Sequence, residues 1–179
     1  QRELNIDPDR IHVDGMSMGG GGAFRLAEHL PDRWASIGPR CNVPDVRQKR
    51  DGTLVTMLAE NLRNVPVYWV VGAKDEKIPV AFARAARDAF QAAHVDCVYR
   101  EFTAGGHDWS LEDDATVFDW YRLNPRRTYP EELTFKSWEK SFQRAYWIEI
   151  LSRTETGPVT LVHLDMAGAE SERRTEFRP

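Results

Sequence analysis

A glycine-rich stretch, Gly15 to Gly22, constrains the fold of this chain more than any other segment. It follows directly on Arg10 to Asp14, which is short and β-prone. After the glycines, four apolar residues recur at the spacing of one helix face, and Pro31 ends that helix because proline cannot continue it. The segment therefore predicts a strand, a sharp turn and a helix. The four apolar residues are Ala23, Leu26, Ala27 and Leu30.

Further strand signals follow at regular distances along the chain. Trp34 to Gly38 is predicted as a second strand, Val65 to Gly72 as a strand buried on both faces, and Cys97 to Phe102 as another strand. Because helix signals lie between these strands, the alternation predicts an α/β fold. Such a fold has a mostly parallel sheet with helices on both of its faces.

Three helices are predicted between and after these strands. Within residues 44–63, leucines recur at four-residue intervals, which indicates a helix. Pro79 opens an amphipathic helix at the position in the first turn that tolerates proline. Ser110 and Asp113 form a capping box for a helix that reaches Leu123.

The composition changes at residues 124–130, where two prolines and two arginines predict a linker. Residues 1–123 are then the main domain, and residues 131–167 are predicted to form a small β appendage. Residues 168–179 are small, charged and aperiodic, which predicts a disordered tail. Within the appendage, strands are predicted at residues 133–138, 145–151 and 159–165, with a turn at 156–158.

Charge, hydrophobicity and cysteine spacing argue against nucleic acid, a membrane span and a metal as partners of this chain. A formal net charge of −4 and a pI of about 5.8 leave no basic face for nucleic acid, so no nucleic-acid partner is predicted. No apolar run approaches the roughly 20 residues that a membrane-spanning helix needs. Cys41 and Cys97 lack the spacing of a disulfide framework or a zinc site, so both are predicted as buried thiols. No metal site and no cofactor are predicted.

Gly15-Met16-Ser17-Met18-Gly19 matches the pattern G-x-S-x-G, in which a serine occupies a tight turn between a strand and a helix. Side chains two residues on either side of the serine are expected to collide, which explains glycine at both positions. A phosphate-binding loop is the alternative, but the Lys-Ser/Thr pair of a Walker loop is missing. The pattern makes Ser17 a candidate nucleophile and the backbone N–H of Met18 a candidate oxyanion donor.

A serine hydroxyl is a weak nucleophile and needs a base and an orienting acid. Asp75 follows the strand predicted at residues 65–72, and His107 follows the strand predicted at residues 97–102. Both residues therefore lie at the carboxyl ends of parallel strands, where catalytic residues collect. His107 is the candidate base and Asp75 is the candidate acid, with Glu76 as the alternative acid.

Residues 10–123 resemble the C-terminal half of an α/β-hydrolase, in the group of dienelactone hydrolases, carboxylesterases and prolyl-oligopeptidase-like enzymes. The resemblance rests on Gly-Met-Ser-Met-Gly-Gly, on Gly-x-x-Asp-x-x-Ile-Pro around Asp75, and on Gly-Gly-His around His107. It implies nucleophile, acid and base in the order Ser17, Asp75, His107. The first four or so strands of the family's sheet and its second oxyanion loop, commonly a His-Gly-Gly motif, have no counterpart in this sequence.

The resemblance implies a hydrolase that cleaves a carboxylic ester through an acyl-enzyme, with Met16 and Trp109 lining the substrate pocket. Simple packing is an equal explanation for Trp109. A serine peptidase of the prolyl-oligopeptidase type and a catalytically silent binding domain are the alternatives. The expected partner is a small-molecule ester or peptide. Residues 1–179 alone are expected to be poorly soluble and poorly active, because an oxyanion donor is missing and the first strand has an open edge.

Overall fold

The computed structural model describes residues 5–56, 58–137, 141–150 and 159–165, the last of these by their backbone. Short 3₁₀ turns lie at Pro8–Arg10, Pro31–Arg33, Ala59–Leu62 and Trp109–Leu111. In chain order, the strands and α-helices are β1 (His12–Met16), α1 (Met18–His29), β2 (Ser36–Arg40), β3 (Val46–Gln48), β4 (Leu54–Thr56), β5 (Val67–Gly72), α2 (Val80–Ala92), β6 (Cys97–Phe102), α3 (Asp114–Arg122), β7 (Glu132–Ser137), β8 (Arg144–Ala145), β9 (Ile148–Glu149) and β10 (Val159–Asp165).

Four strands form one parallel sheet in the order β1, β2, β5, β6. β5 lies inside this sheet and is buried along its whole length, as its apolar sequence predicts. β1 is an edge strand of the sheet in the described part of the chain. The parallel sheet confirms the predicted α/β fold, although β1, β2 and β5 each begin two residues later than predicted.

Alternate side chains of β5 enter two different cores. On one face of the sheet, Val67, Trp69 and Val71 share a core with α1 and α2. On the other face, Tyr68 and Val70 share a core with α3. Because neighbouring side chains of a strand point to opposite faces, helices cover the sheet on both sides and the fold has three layers. Among the described residues, no helix is long and apolar enough to cross a membrane.

The helix predicted for residues 44–63 is wrong. The segment instead forms an antiparallel hairpin of β3 and β4, followed by a 3₁₀ turn. In the hairpin turn, Gly52 adopts a φ of 86°, and the Asp51 carboxylate accepts a hydrogen bond from the backbone N–H of Thr53 at 2.9 Å. This Asp-Gly turn chemistry favours a hairpin and outweighs the helical spacing of the leucines.

The buried face of α1 differs from the predicted one by a small rotation. Leu26 is 42% exposed, although its spacing predicts a core position. The predicted Ala23 and Ala27 are buried, and Gly20 and Phe24 join them in the buried face. Since Phe24 is fully buried between the sheet and α2, it decides which side of the helix faces the core.

The capping box predicted from Ser110 and Asp113 does not form. Asp113 caps α3 by itself, because its side chain accepts a hydrogen bond from the backbone N–H of Ala115 at 3.3 Å. Ser110 lies in the preceding 3₁₀ turn and donates through its backbone N–H to the carboxylate of Asp108 at 2.8 Å. Each acidic residue therefore caps its own turn.

The C-terminal part of the chain forms β structure, as predicted, but the single strand predicted at residues 145–151 is wrong, because β8 and β9 form a short hairpin there. β7 pairs antiparallel with β10, and β8 pairs antiparallel with β9. Leu133, Phe135 and Ile148 belong to a small core of their own. Asn61 holds β7 against the main sheet domain, since its side-chain amide donates to the carbonyl of Lys136 at 2.8 Å and accepts from the Lys136 N–H at 2.7 Å.

The structure describes only some of the segments into which the chain is predicted to divide. The linker at residues 124–130 and the domain limits on either side of it stay predictions. The turn predicted at residues 156–158 and the tail predicted at residues 168–179 lie outside the described residues.

Candidate active site

Ser17 occupies the turn between β1 and α1. Its backbone has φ 54° and ψ −121°, a combination that non-glycine residues seldom adopt and that stores strain. The Ser17 N–H donates to the carbonyl of Arg40 at 2.9 Å. The Ser17 carbonyl accepts from the N–H of Gly21 at 3.0 Å and from the side-chain amide of Asn42. The end of β2 and the first turn of α1 therefore fix the position of the serine.

Close packing around this turn explains part of the glycine pattern. A Cβ on Gly15 would lie 2.5 Å from the backbone of Gly19, and a Cβ on Gly20 would lie 2.7 Å from the carbonyl oxygen of Arg40. A Cβ on Gly19 would meet nothing within 4 Å. The steric requirement thus falls on Gly15 and Gly20, and the expectation that a side chain at Gly19 would collide is wrong.

Asp75 and His107 meet at the carboxyl edge of the sheet. Asp75 follows β5, His107 follows β6, and Asp75 Oδ2 lies 2.7 Å from His107 Nδ1. Asp75 Oδ1 accepts hydrogen bonds from the backbone N–H groups of Lys77 at 2.8 Å and Ile78 at 2.9 Å. Glu76, the alternative acid, is exposed. The structure therefore brings Asp75 to the imidazole.

Burial and hydrogen bonding act in opposite directions on the Asp75 carboxyl. Burial raises its pKa, but the hydrogen bonds from Ile78, His107 and Lys77 outweigh burial, so the pKa of Asp75 lies below its ordinary value. The carboxylate is charged at neutral pH and accepts a hydrogen bond from the N–H at His107 Nδ1, which fixes the imidazole tautomer.

The second ring nitrogen of His107, Nε2, takes no part in the hydrogen bond to Asp75. His107 Nε2 is buried and has no hydrogen-bond partner among the described residues, so no hydrogen bond joins it to Ser17 Oγ there. Catalytic hydrogen bonds are often long in the absence of substrate and tighten only in the complex. A buried imidazole with one oriented and one unpaired nitrogen is suited to accepting a proton.

Arg40, at the end of β2, is a residue that the sequence analysis does not single out. It is fully buried, and its guanidinium forms ion pairs with Asp114 at 2.7 Å and Asp14 at 3.5 Å. It also donates to the backbone carbonyls of Trp109 at 3.3 Å and Glu112 at 3.2 Å. Arg40 thereby ties the segment that follows the histidine to β1 and β2.

Cys41 is a second residue that the sequence does not connect with the site. Its backbone has φ 48°, its thiol is buried, and its Sγ lies 3.4 Å from the carbonyl oxygen of Asp108. Burial raises the pKa of this thiol. Cys97 is only partly buried, so the prediction of buried thiols is confirmed for Cys41 alone. The one sequence signal for Arg40 and Cys41 is their place at the end of a strand.

The remaining predicted site residues lie close to the serine and the histidine in the chain. Met18 begins α1, where the first N–H groups of a helix have no intrahelical acceptor, and its side chain is 88% exposed. Met16 ends β1 and is half-buried. Trp109 donates through its indole N–H to Asp114 at 3.0 Å, and its ring lies 4.0 Å from the guanidinium carbon of Arg40. These contacts explain the position of Trp109 by packing alone. Its place in the wall of a substrate pocket stays a prediction.

The fold and the site geometry together define the class of protein. A parallel sheet between helical layers, with a strained serine turn after one strand and an Asp-His pair after two others, is an α/β-hydrolase fold. Residues 1–111 match the family described as "Putative esterase". The chain therefore belongs to this Esterase family. A comparison with curated proteins finds no match.

Solved structures share the fold over about two thirds of the chain. A thermostable esterase superposes with a TM-score of 0.56 at 21% identity, over 69% of this chain and 33% of its own. SOBER1 of Arabidopsis thaliana gives a TM-score of 0.53 at 16% identity, over 67% of this chain and 55% of its own. An acylaminoacyl peptidase gives a TM-score of 0.53 at 13% identity, over 70% of this chain and 25% of its own. This chain thus spans between a quarter and a little over half of these proteins, and the likeness concerns the fold.

Proposed function

We propose that this chain carries the catalytic triad of a serine esterase, with Ser17 as nucleophile, His107 as base and Asp75 as orienting acid. The observation that carries the proposal is the 2.7 Å hydrogen bond between Asp75 and His107 Nδ1, beside an Nε2 that has no partner among the described residues. Membership of the Esterase family supports an ester as the substrate.

The first half of the reaction forms an acyl-enzyme. Ser17 Oγ attacks the carbonyl carbon of the ester while His107 Nε2 takes the hydroxyl proton. The Asp75 carboxylate stabilises the imidazolium that results, and the backbone N–H of Met18 donates to the oxyanion. The tetrahedral intermediate then collapses, the ester C–O bond breaks, and His107 returns the proton to the departing alcohol.

The second half releases the acid by the same groups. A water molecule gives a proton to His107 Nε2 and attacks the acyl carbon, and the second tetrahedral intermediate expels Ser17 Oγ. His107 then returns the proton to the serine. The carboxylic acid leaves and the site is restored.

The two alternatives have less support. The likeness to an acylaminoacyl peptidase at 13% identity concerns the fold and adds no argument for a peptide substrate. A silent binding domain would have no use for a strained serine backbone or for a buried imidazole nitrogen without a partner. Both features cost folding free energy, and a catalytic role explains why they are present.

The activity of the whole protein is part of this proposal, because the chain spans only 33% and 55% of the two esterase-fold structures described above. The experiments below therefore use the full-length protein. The expectation that residues 1–179 alone are poorly active stays a prediction, as does their division into a domain at 1–123, a linker at 124–130 and an appendage at 131–167.

Labelling with a fluorophosphonate probe tests the proposal, since the probe reacts only with a serine that a base activates. The full-length protein should be labelled, and Ser17→Ala should abolish the label. Ser141→Ala, which alters an exposed serine far along the chain, is the matched control and should label like the wild type. A folded wild-type protein that takes no label, or a label that persists in Ser17→Ala, would overturn the proposal.

A further inference from the structure

Cys41 lies directly beside the hydrogen-bonded pair of Asp75 and His107. Its Sγ, a carboxylate oxygen of Asp75 and a ring nitrogen of His107 all lie within 4.8 Å of one another. Cys41 and Asp75 are buried, and the His107 side chain is only 10% exposed. Thiolate, imidazole and carboxylate are the donor groups that zinc takes in proteins.

Cys41 has no role in the proposed esterase mechanism, yet its backbone adopts an unfavourable conformation that places the thiol here. A φ of 48° is uncommon for a residue other than glycine. The Sγ has only weak contacts to carbonyl oxygens, at 3.4 Å to Asp108 and 3.9 Å to Gly106. A thiol is a weak donor, so little hydrogen-bond energy opposes its use as a ligand.

We propose that a thiophilic divalent cation of the zinc class binds Cys41, Asp75 and His107 and thereby blocks the base. The Cys41 S–H proton passes to solvent as the sulfur–metal bond forms. The ion replaces the proton that His107 Nδ1 shares with Asp75 Oδ2, and that proton moves to His107 Nε2. Three protein ligands leave a fourth position for water, as in open zinc sites.

Charge and distance both suit such an ion. The Cys41 thiolate and the Asp75 carboxylate carry two negative charges, which balance a divalent cation in a buried place where net charge is costly. In a tetrahedral zinc site, ligand atoms lie about 3.3 to 3.7 Å apart. Asp75 Oδ2 and His107 Nδ1 must separate somewhat from 2.7 Å. Cys41 Sγ lies within 4.8 Å of one carboxylate oxygen of Asp75 and one ring nitrogen of His107, and it must move toward them.

Blocking of the base rests on the proposed function, whereas binding of the ion does not. With a metal on Nδ1 and a proton on Nε2, His107 has no lone pair to take the proton of Ser17. The ion would thus act as a reversible inhibitor that a chelator removes.

Calorimetric titration of the metal-free, full-length protein with Zn²⁺ tests the site. The wild type should bind one ion tightly, and Cys41→Ala should lower the affinity of that site for Zn²⁺ by more than about 100-fold. A loss of about 10- to 100-fold is typical when a residue that only supports a metal ligand is removed, so a larger loss indicates a ligand. Cys97→Ala is the matched control, because Cys97 begins β6 and lies at the opposite end of that strand from the histidine. Cys97→Ala and Ser17→Ala should both bind Zn²⁺ like the wild type.

Cd²⁺ provides a second readout, since its bond to a thiolate absorbs in the ultraviolet. This absorption should appear in the wild type and in Cys97→Ala but be absent in Cys41→Ser. The serine variant nearly keeps the size of the side chain, so it replaces Cys41→Ala if that variant does not fold. Zinc affinity equal to that of the wild type in a folded Cys41 variant, or no thiolate absorption in the wild type, would overturn the site.

Fluorophosphonate labelling separates this inference from the proposed function. Zn²⁺ should suppress labelling of the wild type, a chelator should restore it, and Cys41→Ala should label in the presence of Zn²⁺. Full labelling of the zinc-bound wild type would disprove the block. If no form of the protein labels under any condition, the proposed function fails, while the calorimetry still decides whether the ion binds.

Discussion

The serine turn (residues 15–21) and the histidine loop (residues 103–113) are both parts of the candidate site, but different interactions hold them. In the serine turn, backbone hydrogen bonds and the lack of space for a Cβ on Gly15 fix the chain. The histidine loop is held largely by side chains from other strands, namely those of Arg40, Cys41 and Asp75. Contacts within the turn, such as that of Gly15 with Gly19, are encoded locally. The Arg40 carbonyl that accepts from the Ser17 N–H and the side chains that hold the histidine loop come from distant parts of the chain.

The largest effect is expected where the histidine loop meets its acid. Asp75→Asn should leave the fold intact but lower turnover of an activated ester by about 10⁴, as in a serine protease whose acid is changed to the amide, because the wrong imidazole tautomer is stabilised. Glu76→Gln alters the exposed neighbour and should retain nearly normal turnover. Steady-state kinetics of the full-length variants measures both. Equal losses in the two variants would count against Asp75 as the acid.

The next largest effect concerns the side chain that ties down the histidine loop. Arg40→Met should lower the free energy of unfolding by about 3 kcal/mol, because Asp14 loses its buried cation and two carbonyls lose their donor. Urea denaturation measures this change. Arg84→Met is the control, since Arg84 pairs with Glu101 at the surface, where an ion pair contributes about 0–1 kcal/mol. A stability loss in Arg40→Met no greater than the control would show that the loop does not depend on this residue.

The serine turn should respond to an added methyl group at one glycine and not at another. Gly15→Ala should destabilise by about 1–3 kcal/mol and reduce fluorophosphonate labelling, because its Cβ meets the backbone of Gly19 at 2.5 Å. Gly19→Ala has open space and a helical position, so it should be neutral or stabilising by up to about 1 kcal/mol. Similar losses in the two variants would contradict a purely steric basis for the turn.

The smallest effect comes from pH, which should act oppositely through two buried carboxyls, Glu28 near the end of α1 and Asp75 beside the histidine loop. Burial raises the pKa of Glu28, on α1, to about 8, and its Oε1 has no partner in the described part of the chain. In the unfolded chain this carboxyl has its ordinary pKa of 4.5, so stability is lost as pH rises toward 8. Asp75 has a lowered pKa, so its contribution to stability is lost only as pH falls below the ordinary aspartate pKa of 3.8.

Urea denaturation at two pH values measures the first of these effects. Between pH 6 and pH 7.5 the wild type should lose at most about 2 kcal/mol through Glu28, at about 1.4 kcal/mol per pH unit. Glu28→Gln should remove most of this slope, because the amide does not titrate. An unchanged slope in Glu28→Gln would assign the pH dependence to another group.

The fold was predictable wherever one residue pattern had one physical explanation. The apolar run of β5 is of the kind expected for a strand buried on both faces, and the structure confirms it. The segment at residues 44–63 carried two competing patterns, helical leucine spacing and the turn chemistry of Asp51-Gly52. The turn decided the outcome because Gly52 tolerates a φ of 86°, which other residues avoid.

The sequence by itself determined the tight part of the serine turn, because the strain at Ser17 and the close approach of Gly15 to Gly19 act between residues a few positions apart. The Arg40 carbonyl that accepts from the Ser17 N–H is placed there only by the tertiary structure. The sequence also placed Asp75 and His107 at strand ends, although they lie 32 residues apart. Only the tertiary structure decided that Arg40 and Cys41 join them, with Cys41 Sγ against a carbonyl 67 residues away. The physical reason is that a parallel sheet gathers the ends of its strands at one edge whatever their separation in the chain, and strand order is set by packing of the whole sheet.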